Sequence, residues 1–344
     1  MLISVIVIDY KRKEFLKNAI RSVYDQLLDK GLYEVVVVKS YENKDIDDYI
    51  AKLGYKNIVY DTPNYGERVS VGIEESKGEI LAFLEDDDEF KPNKLSKMYN
   101  VFSTQKEVSY FHDTREYIYN DKIVDVNTND HKMSRIIRHL EEITPHEDVL
   151  IDPFDKRMKN FLMKYHGIVA TVSLMAVKRS CIENKLTLLK QINTSVENFI
   201  PAFAAECGKL FHTADRLTRY RIHNMNNSIA LNEKDILRRL FFLRRSINDL
   251  KIIIDNISPK NRVRSVVKMR LLEAKLTLHN SPEEIKEKLG YKQNVLSAIK
   301  DLSELYLIKH DLHEFLNLFP HIIYNGIPSK RMKILIKRIV KGVR

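Results

Sequence analysis

A chain of 344 residues with 44% apolar and 30% charged side chains is long enough for more than one core and too apolar to stay unfolded. Its net charge of +10 is uneven: residues 230–344 hold 24 Lys or Arg against 12 Asp or Glu, an excess of +12, which leaves residues 1–229 at −2. The basic excess is therefore a partner signal of the C-terminal third. Cys181 and Cys207 lack any C-x-x-C spacing, which argues against a disulfide framework or a zinc site. No apolar run reaches the ~18 residues of a spanning helix, and Met1 leads into SVIVIDY without a basic leader, so a cytoplasmic location is expected.

The first hundred residues alternate between strand and helix periods. SVIVIDY predicts a buried strand and EFLKNAIRSVYDQL a helix with Phe15, Ala19, Ile20, Val23 and Leu27 on one face. EVVVVKS, NIVYD and EILAFLE read as further strands, separated by helices over DIDDYIAKLG and over ERVSVGIEESKG, the latter stopped by Gly78. Continuous apolar strands alternating with helices predict an α/β fold with a mostly parallel sheet covered on both faces. Beyond Lys97, VSYFHDTREYIYNDKIVDV reads as an antiparallel pair turning at NDK, residues 127–165 as loop or short helices, and GIVATVSLMAVKRS as strand. From Glu233 onward the pattern is helical, with Ser281, Pro282 and Glu284 spaced as a capping box.

FLEDDDEF, directly behind the fourth strand, delivers Glu85, Asp86, Asp87 and Asp88 to the carboxyl edge of the sheet, where ligands of α/β folds bind. Clustered carboxylates repel unless a cation neutralises them, and oxygen donors favour Mg²⁺ or Mn²⁺ bridging to substrate phosphates. A solvated acidic turn is the plain alternative.

Three ordered segments carry a resemblance. SVIVIDYKRKEFLKNAIRSVYDQ, NYGERVSVGIEESKGEILAFLEDDDEFKPNKL and RYRIHNMNNS resemble the opening, the metal-binding D-x-D-D region and the Y-R-x-H-x-x-N-x-S segment of glycosyltransferase family 2. The resemblance covers about residues 1–230 and implies a GT-A fold, Rossmann-like, with residues 231–344 as a helical C-terminal domain. The implied reaction is inverting and metal-dependent, moving a sugar from a nucleotide-diphosphate donor to an acceptor hydroxyl. By the same resemblance Asp87 is a metal ligand, Glu85 stands at the family's first aspartate, and His223 is a further ligand or diphosphate contact. Asp9, Tyr10, Arg12, Lys39, Arg68, Asp86 and Arg221 fall at donor-binding positions, with Glu85 shared between metal and donor. Lys39 and Ser40 replace the aspartate pair that reads uracil, which points away from a uridine donor. The base of the family lies eleven residues before a glycine; counting back from Gly208 gives Glu197, while an alternative alignment places Asn198 there. A non-catalytic binding protein of the same fold and a sugar-phosphate nucleotidyltransferase are the rival functions.

The run from Lys330 to Arg344 contains no acid. As a helix it would carry Met332, Leu335, Ile336, Ile339, Val340 and Val343 on one stripe, with Lys333, Lys337, Arg338, Lys341 and Arg344 beside or opposite it. This pattern fits an anionic membrane surface and a lipid-linked acceptor, or equally a terminal helix docked on its own domain. Nucleic acid is disfavoured, since no aromatic residues interleave the basic ones.

Overall fold

The computed structural model describes residues 1–9, 13–226 and 233–325; the predicted basic helix at Lys330–Arg344 lies outside them, as do Tyr10 and Arg12. Ten strands form one sheet: β1 (Ile3–Ile8), β2 (Tyr33–Lys39), β3 (Lys56–Val59), β4 (Ile80–Glu85), β5 (Glu89–Phe90), β6 (Val108–Tyr119), β7 (Lys122–Val124), β8 (Val149–Ile151), β9 (Met175–Lys178) and β10 (Lys209–Ile222). The order is β3-β2-β1-β4-β9-β6-β10-β5, with β7 added to β6 and β8 to β10. Only part of it is the predicted parallel sheet. The β3-β2-β1-β4 block is parallel, as is β6 with β10, but the other five pairings among the described residues are antiparallel. The expected mostly parallel, Rossmann-like sheet is thus corrected to a mixed one, because β9 enters between β4 and β6 in the opposite direction.

The alternation along β1 explains the layers. Val5 and Val7 share one core with Leu16 and Ile20 of the helix Lys13–Tyr24 and with Ile46 and Ile50 of the helix Lys44–Lys52. Ile6 faces the other way, where Gly72 of the helix Tyr65–Glu74 approaches it so closely that a Cβ would lie 2.4 Å from its side chain. Successive side chains of a strand point to opposite faces, so burial on both makes the run apolar except at Ser4, whose hydroxyl donates to Glu34 Oε1 at 2.6 Å.

Chain turns are set by local chemistry. Asn43 and Asn64 cap the helices that follow them, accepting from the Ile46 and Glu67 amides. β6 and β7 pair through a two-residue loop, Asn120–Asp121, both at positive φ, as the right-handed twist of a tight hairpin requires. Residues 127–165 contain the helices His131–Glu142 and Met158–Lys164 and the short β8. In GIVATVSLMAVKRS only Met175–Lys178 is strand; 166–169 and 172–174 are single 3-10 turns, separated by Thr171 at φ 65°. The helix over ERVSVGIEESKG ends at Glu74, before Gly78. Ser281 does not cap forward but donates to the Thr277 carbonyl, and Pro282 takes the cap position.

The chain divides into two compact units, Met1–His223 with Asp255–Arg264, and Asn224–Ile254 with Ser265–Arg344. The ordered elements of the second, among its described residues, are all helices. No helix among the described residues is long and apolar enough to cross a membrane.

Candidate active site

Parallel register brings the carboxyl ends of β1 and β4 together: Ile8 lies opposite Glu85. Asp9 and Asp86 therefore leave adjacent strands side by side, the Asp86 amide donating to the Ile8 carbonyl at 3.1 Å and the Asp9 amide to the Val38 carbonyl at 2.9 Å. Both side chains are fully buried. Asp87 and Asp88 follow, at 5% and 1% exposure. A turn that buries three consecutive aspartates is not the solvated acidic turn of the plain alternative. Burial and the neighbouring Asp87 and Glu85 carboxylates push Asp88 well above the usual carboxylate range.

The third motif reaches this turn through the sheet. β5 is only two residues long, but it pairs antiparallel with β10, setting Glu89 opposite Arg219. Two residues later along β10, the Arg221 amide donates to Asp88 Oδ1 at 3.0 Å, and His223 Nε2 lies 2.8 Å from Asp87 Oδ2. Arg221 is nearly buried and spends its guanidinium on this scaffold. It donates to the Asp87 carbonyl, to Asp121 Oδ1 at the hairpin tip and to Glu89 Oε1, and sits 4.7 Å from the centre of the Phe15 ring. The Phe15 ring also lies 5.4 Å from that of His223.

Glu85 is held by one group that the sequence did not single out. The Tyr65 hydroxyl donates to Glu85 Oε1 at 3.2 Å. Burial, the Glu85 charge and, more weakly, the Glu197 charge hold that phenol well above its ordinary pKa, with Arg68 acting in the opposite sense. Glu197 lies in the first turn of the helix Val196–Ala204, where the helix dipole favours a carboxylate. It is half-buried and accepts from Asn198 Nδ2 at 2.9 Å; Asn198 itself is buried.

Tyr65 is fixed by its neighbours. Asn64 caps the helix and donates to the Lys190 carbonyl, while the Tyr65 and Gly66 amides donate to the Asn193 and Ile192 carbonyls. A Cβ at Gly66 would lie 2.0 Å from the Leu189 carbonyl oxygen, so only glycine permits this approach. Ser173 supports the other side: its Oγ accepts from the Glu85 amide at 3.0 Å. Its carbonyl accepts from Lys94 Nζ at 2.7 Å. Lys94 also pairs with Asp113 at 2.7 Å, both fully buried.

The remaining expected donor contacts are placed differently. Lys39 is fully buried, paired with Asp47 at 2.7 Å and donating to the Tyr41 carbonyl at 2.6 Å. Tyr41 stands near the acidic edge instead: burial and the charges of Asp9, Asp86 and Asp47 raise its phenol pKa. Arg68 is 2% exposed and donates to the Thr62 carbonyl at 2.9 Å.

Among the described residues, no three His, Cys, Asp or Glu side chains form a ready-made metal cage. Mg²⁺ and Mn²⁺ do not need one, since they take one or two carboxylates and complete their shell with water and substrate phosphates. The Asp87 carboxylate is the oxygen donor such an ion takes, and the His223 imidazole beside it is a nitrogen donor that suits Mn²⁺ better than Mg²⁺.

A mixed sheet flanked by helices, with an acidic edge at β1 and β4 and a helical C-terminal region, is a GT-A-like fold. Solved structures agree. The S. aureus TarS 1-349 fragment in complex with UDP superposes with a TM-score of 0.56 at 12% identity, covering 100% of this chain and 92% of that one. The same fragment with UDP-GlcNAc gives 0.54 at 14% identity, covering 99% and 91%. At such identity the likeness is one of fold. Residues 4–180, more than half of the chain, match the model of Glycosyl transferase family 2, and the chain belongs to that family. An uncharacterized glycosyltransferase of Nostoc sp. is 32% identical over 131 residues, 36% of this chain and 40% of that protein. Protein CgeD of Bacillus subtilis is 24% identical over 153 residues, 41% and 34% respectively. The chain thus spans well under half the length of these curated relatives.

Proposed function

We propose that the chain transfers a sugar, with inversion, from a nucleotide-diphosphate donor to an acceptor hydroxyl. The observation that supports this best is the buried carboxylate turn where Asp87 meets His223, with Glu85 beside it held by the Tyr65 hydroxyl. Glu197 is the base: its carboxylate takes the acceptor proton as that oxygen attacks the anomeric carbon and the bond to the diphosphate breaks. Asp87 and His223 would hold Mn²⁺ or Mg²⁺, which when bound neutralises charge developing on the leaving diphosphate. Tyr65 orients Glu85 and keeps its oxygen turned toward the donor edge. Tyr41, whose phenol feels the charge of Asp9 and Asp86, would border the donor's base, while Lys39 is committed to Asp47. The TarS fragment binds UDP and UDP-GlcNAc, which makes a uridine donor the first to test despite Lys39.

Calorimetry with a panel of nucleoside diphosphates, with and without Mn²⁺, followed by donor hydrolysis assays, tests the reading. Asp87→Ala is expected to abolish the Mn²⁺-dependent part of binding. Glu197→Gln is expected to bind donor normally while turnover falls on the order of 10²–10⁴-fold. A parent protein that binds donors but never turns them over would favour the non-catalytic alternative.

A further inference from the structure

The sheet brings together two cysteines that no sequence spacing links. β9 and β10 flank β6, with Val177 opposite Tyr110 and Lys209 opposite Val108. β9 runs out where β10 begins: Lys178 Nζ donates to the Lys106 carbonyl at 2.6 Å, and the Lys209 amide to the Glu107 carbonyl at 2.9 Å. Cys181 closes the 3-10 turn Arg179–Cys181 that leaves β9. Cys207 lies in the turn that leads from the helix Val196–Ala204 into β10, its amide donating to the Ala204 carbonyl at 3.0 Å. The two segments pack on each other, since Lys185 Nζ stands 5.9 Å from the centre of the Phe203 ring. There the Cys181 thiol donates to the Cys207 sulfur.

The pair is asymmetric. Cys181 is 3% exposed, whereas Cys207 faces solvent. The hydrogen bond from Cys181 brings Cys207 down to about 7, with Lys185 and Lys178 acting in the same sense and burial and Glu206 opposing them. Glu206, the adjacent acid, is engaged on its other side, where Oε1 accepts from the Ser258 amide and from Asn261 Nδ2. The same bond, together with burial, keeps the Cys181 thiol protonated. A packing role accounts for a buried cysteine, but not for an accessible one held against it. An exposed sulfur that is readily thiolate, in contact with a protected thiol, is the arrangement of an attacking and a resolving cysteine.

We propose that Cys207 and Cys181 form a reversible redox site, in which Cys207 reacts with a peroxide and Cys181 resolves the product as an internal disulfide. The Cys207 thiolate attacks one oxygen of hydrogen peroxide and the O–O bond breaks. Cys207 becomes a sulfenic acid, and the hydroxide that leaves takes up the proton Cys207 had released, giving water. The Cys181 sulfur then attacks the Cys207 sulfur; the S–S bond forms as the S–O bond breaks, and the departing hydroxide takes the Cys181 proton as a second water. The two thiols lose two electrons and the peroxide gains them; a dithiol reductant reverses the change. The disulfide closes residues 181–207, with the helix Val196–Ala204 among them, into a loop, so the oxidised chain is harder to unfold. None of the residues assigned to catalysis takes part, and the site stands whether or not that assignment holds.

The test uses the full-length chain, whose two cysteines are its only ones. Stoichiometric hydrogen peroxide is expected to take the free thiols counted in denaturant from two to none. The product should have lost two hydrogens by intact mass and should carry the Cys181 and Cys207 tryptic peptides linked within a monomer. Dithiothreitol should restore both thiols, and the oxidised chain should melt above the reduced one. Cys207→Ser, at an exposed position, is expected to fold as the parent does and to lose its remaining thiol at least about tenfold more slowly. Cys181→Ala is expected to stop at a sulfenic acid that dimedone traps. A parent that accumulates sulfenic or sulfinic acid without the internal link, or that forms a disulfide between two chains instead, would overturn the proposal. So would Cys207→Ser oxidising at the parental rate.

Discussion

Lys94→Met tests whether a buried ion pair holds the acidic turn in place. Lys94 and Asp113 are both inaccessible to solvent and 2.7 Å apart, and the same ammonium serves the Ser173 carbonyl and Thr218 Oγ1. Removing one partner of a buried pair leaves the other charged and unsolvated, which costs about 3–5 kcal/mol. Replacing both, as Lys94→Met with Asp113→Leu, removes the uncompensated charge and should recover at least half of that loss. The penalty depends on pH in a definite sense. Burial holds Asp113 above the usual carboxylate range while Lys94 pulls it down, so Lys94→Met lifts it further. A raised folded-state pKa means the native state binds the proton more tightly than the unfolded chain. Stability then falls as pH rises from about 3.9 through the raised value, and the variant recovers on acidification. Urea midpoints of the parent, both single variants and the double variant, measured at neutral and mildly acidic pH, give the comparison. If Lys94→Met costs less than about 1 kcal/mol, or if the double variant is no better than the single, the pair does not carry the load assigned to it.

Gly66→Ala places a methyl group 2.0 Å from the Leu189 carbonyl oxygen and 2.6 Å from that of Ile192, both backbone, so neither can step aside. A loss of about 3 kcal/mol or more is expected by chemical denaturation, and a neutral result would mean the helix does not dock as described. A second pH effect comes from His212, pushed down to about 4 by burial, and from His112, whose Nδ1 lies 2.9 Å from His212 Nδ1. The unfolded chain binds a proton near pH 6.5 that the native state refuses, so stability is complete above that pH and falls, by about 3 kcal/mol for His212, as pH drops toward 4. His212→Gln should flatten the acid side of the urea-midpoint profile; an unchanged slope would assign the acid sensitivity elsewhere.

The parts of this molecule that were legible in its sequence are those where burial dictates composition. β1, β2 and β4 are almost continuously apolar because both faces are covered, with Ser4 of β1 and Glu34 of β2 bonded to each other. The same logic misled at GIVATVSLMAVKRS, since buried 3-10 turns and buried strands draw on the same side chains, and only the backbone at Thr171 separates them. Lys39 and Lys94 mark a second limit. A lysine in a sequence reads as solvent-facing or ligand-facing, yet each is buried against a carboxylate, eight and nineteen residues away, that no spacing rule links to it. The acidic run itself was readable as a site because charges that repel need a reason to be gathered. What gathers them was not readable: β5, two residues long, pairs with a strand about 130 residues later and so carries Arg221 to Asp88 and His223 to Asp87. Tyr65 shows the physical reason for the gap. Its position between Asn64 and Gly66 announces a turn, but its role follows from three carbonyls on the Lys190–Asn193 segment that fix the turn, and from the Glu85 carboxylate that the turn then lets it reach.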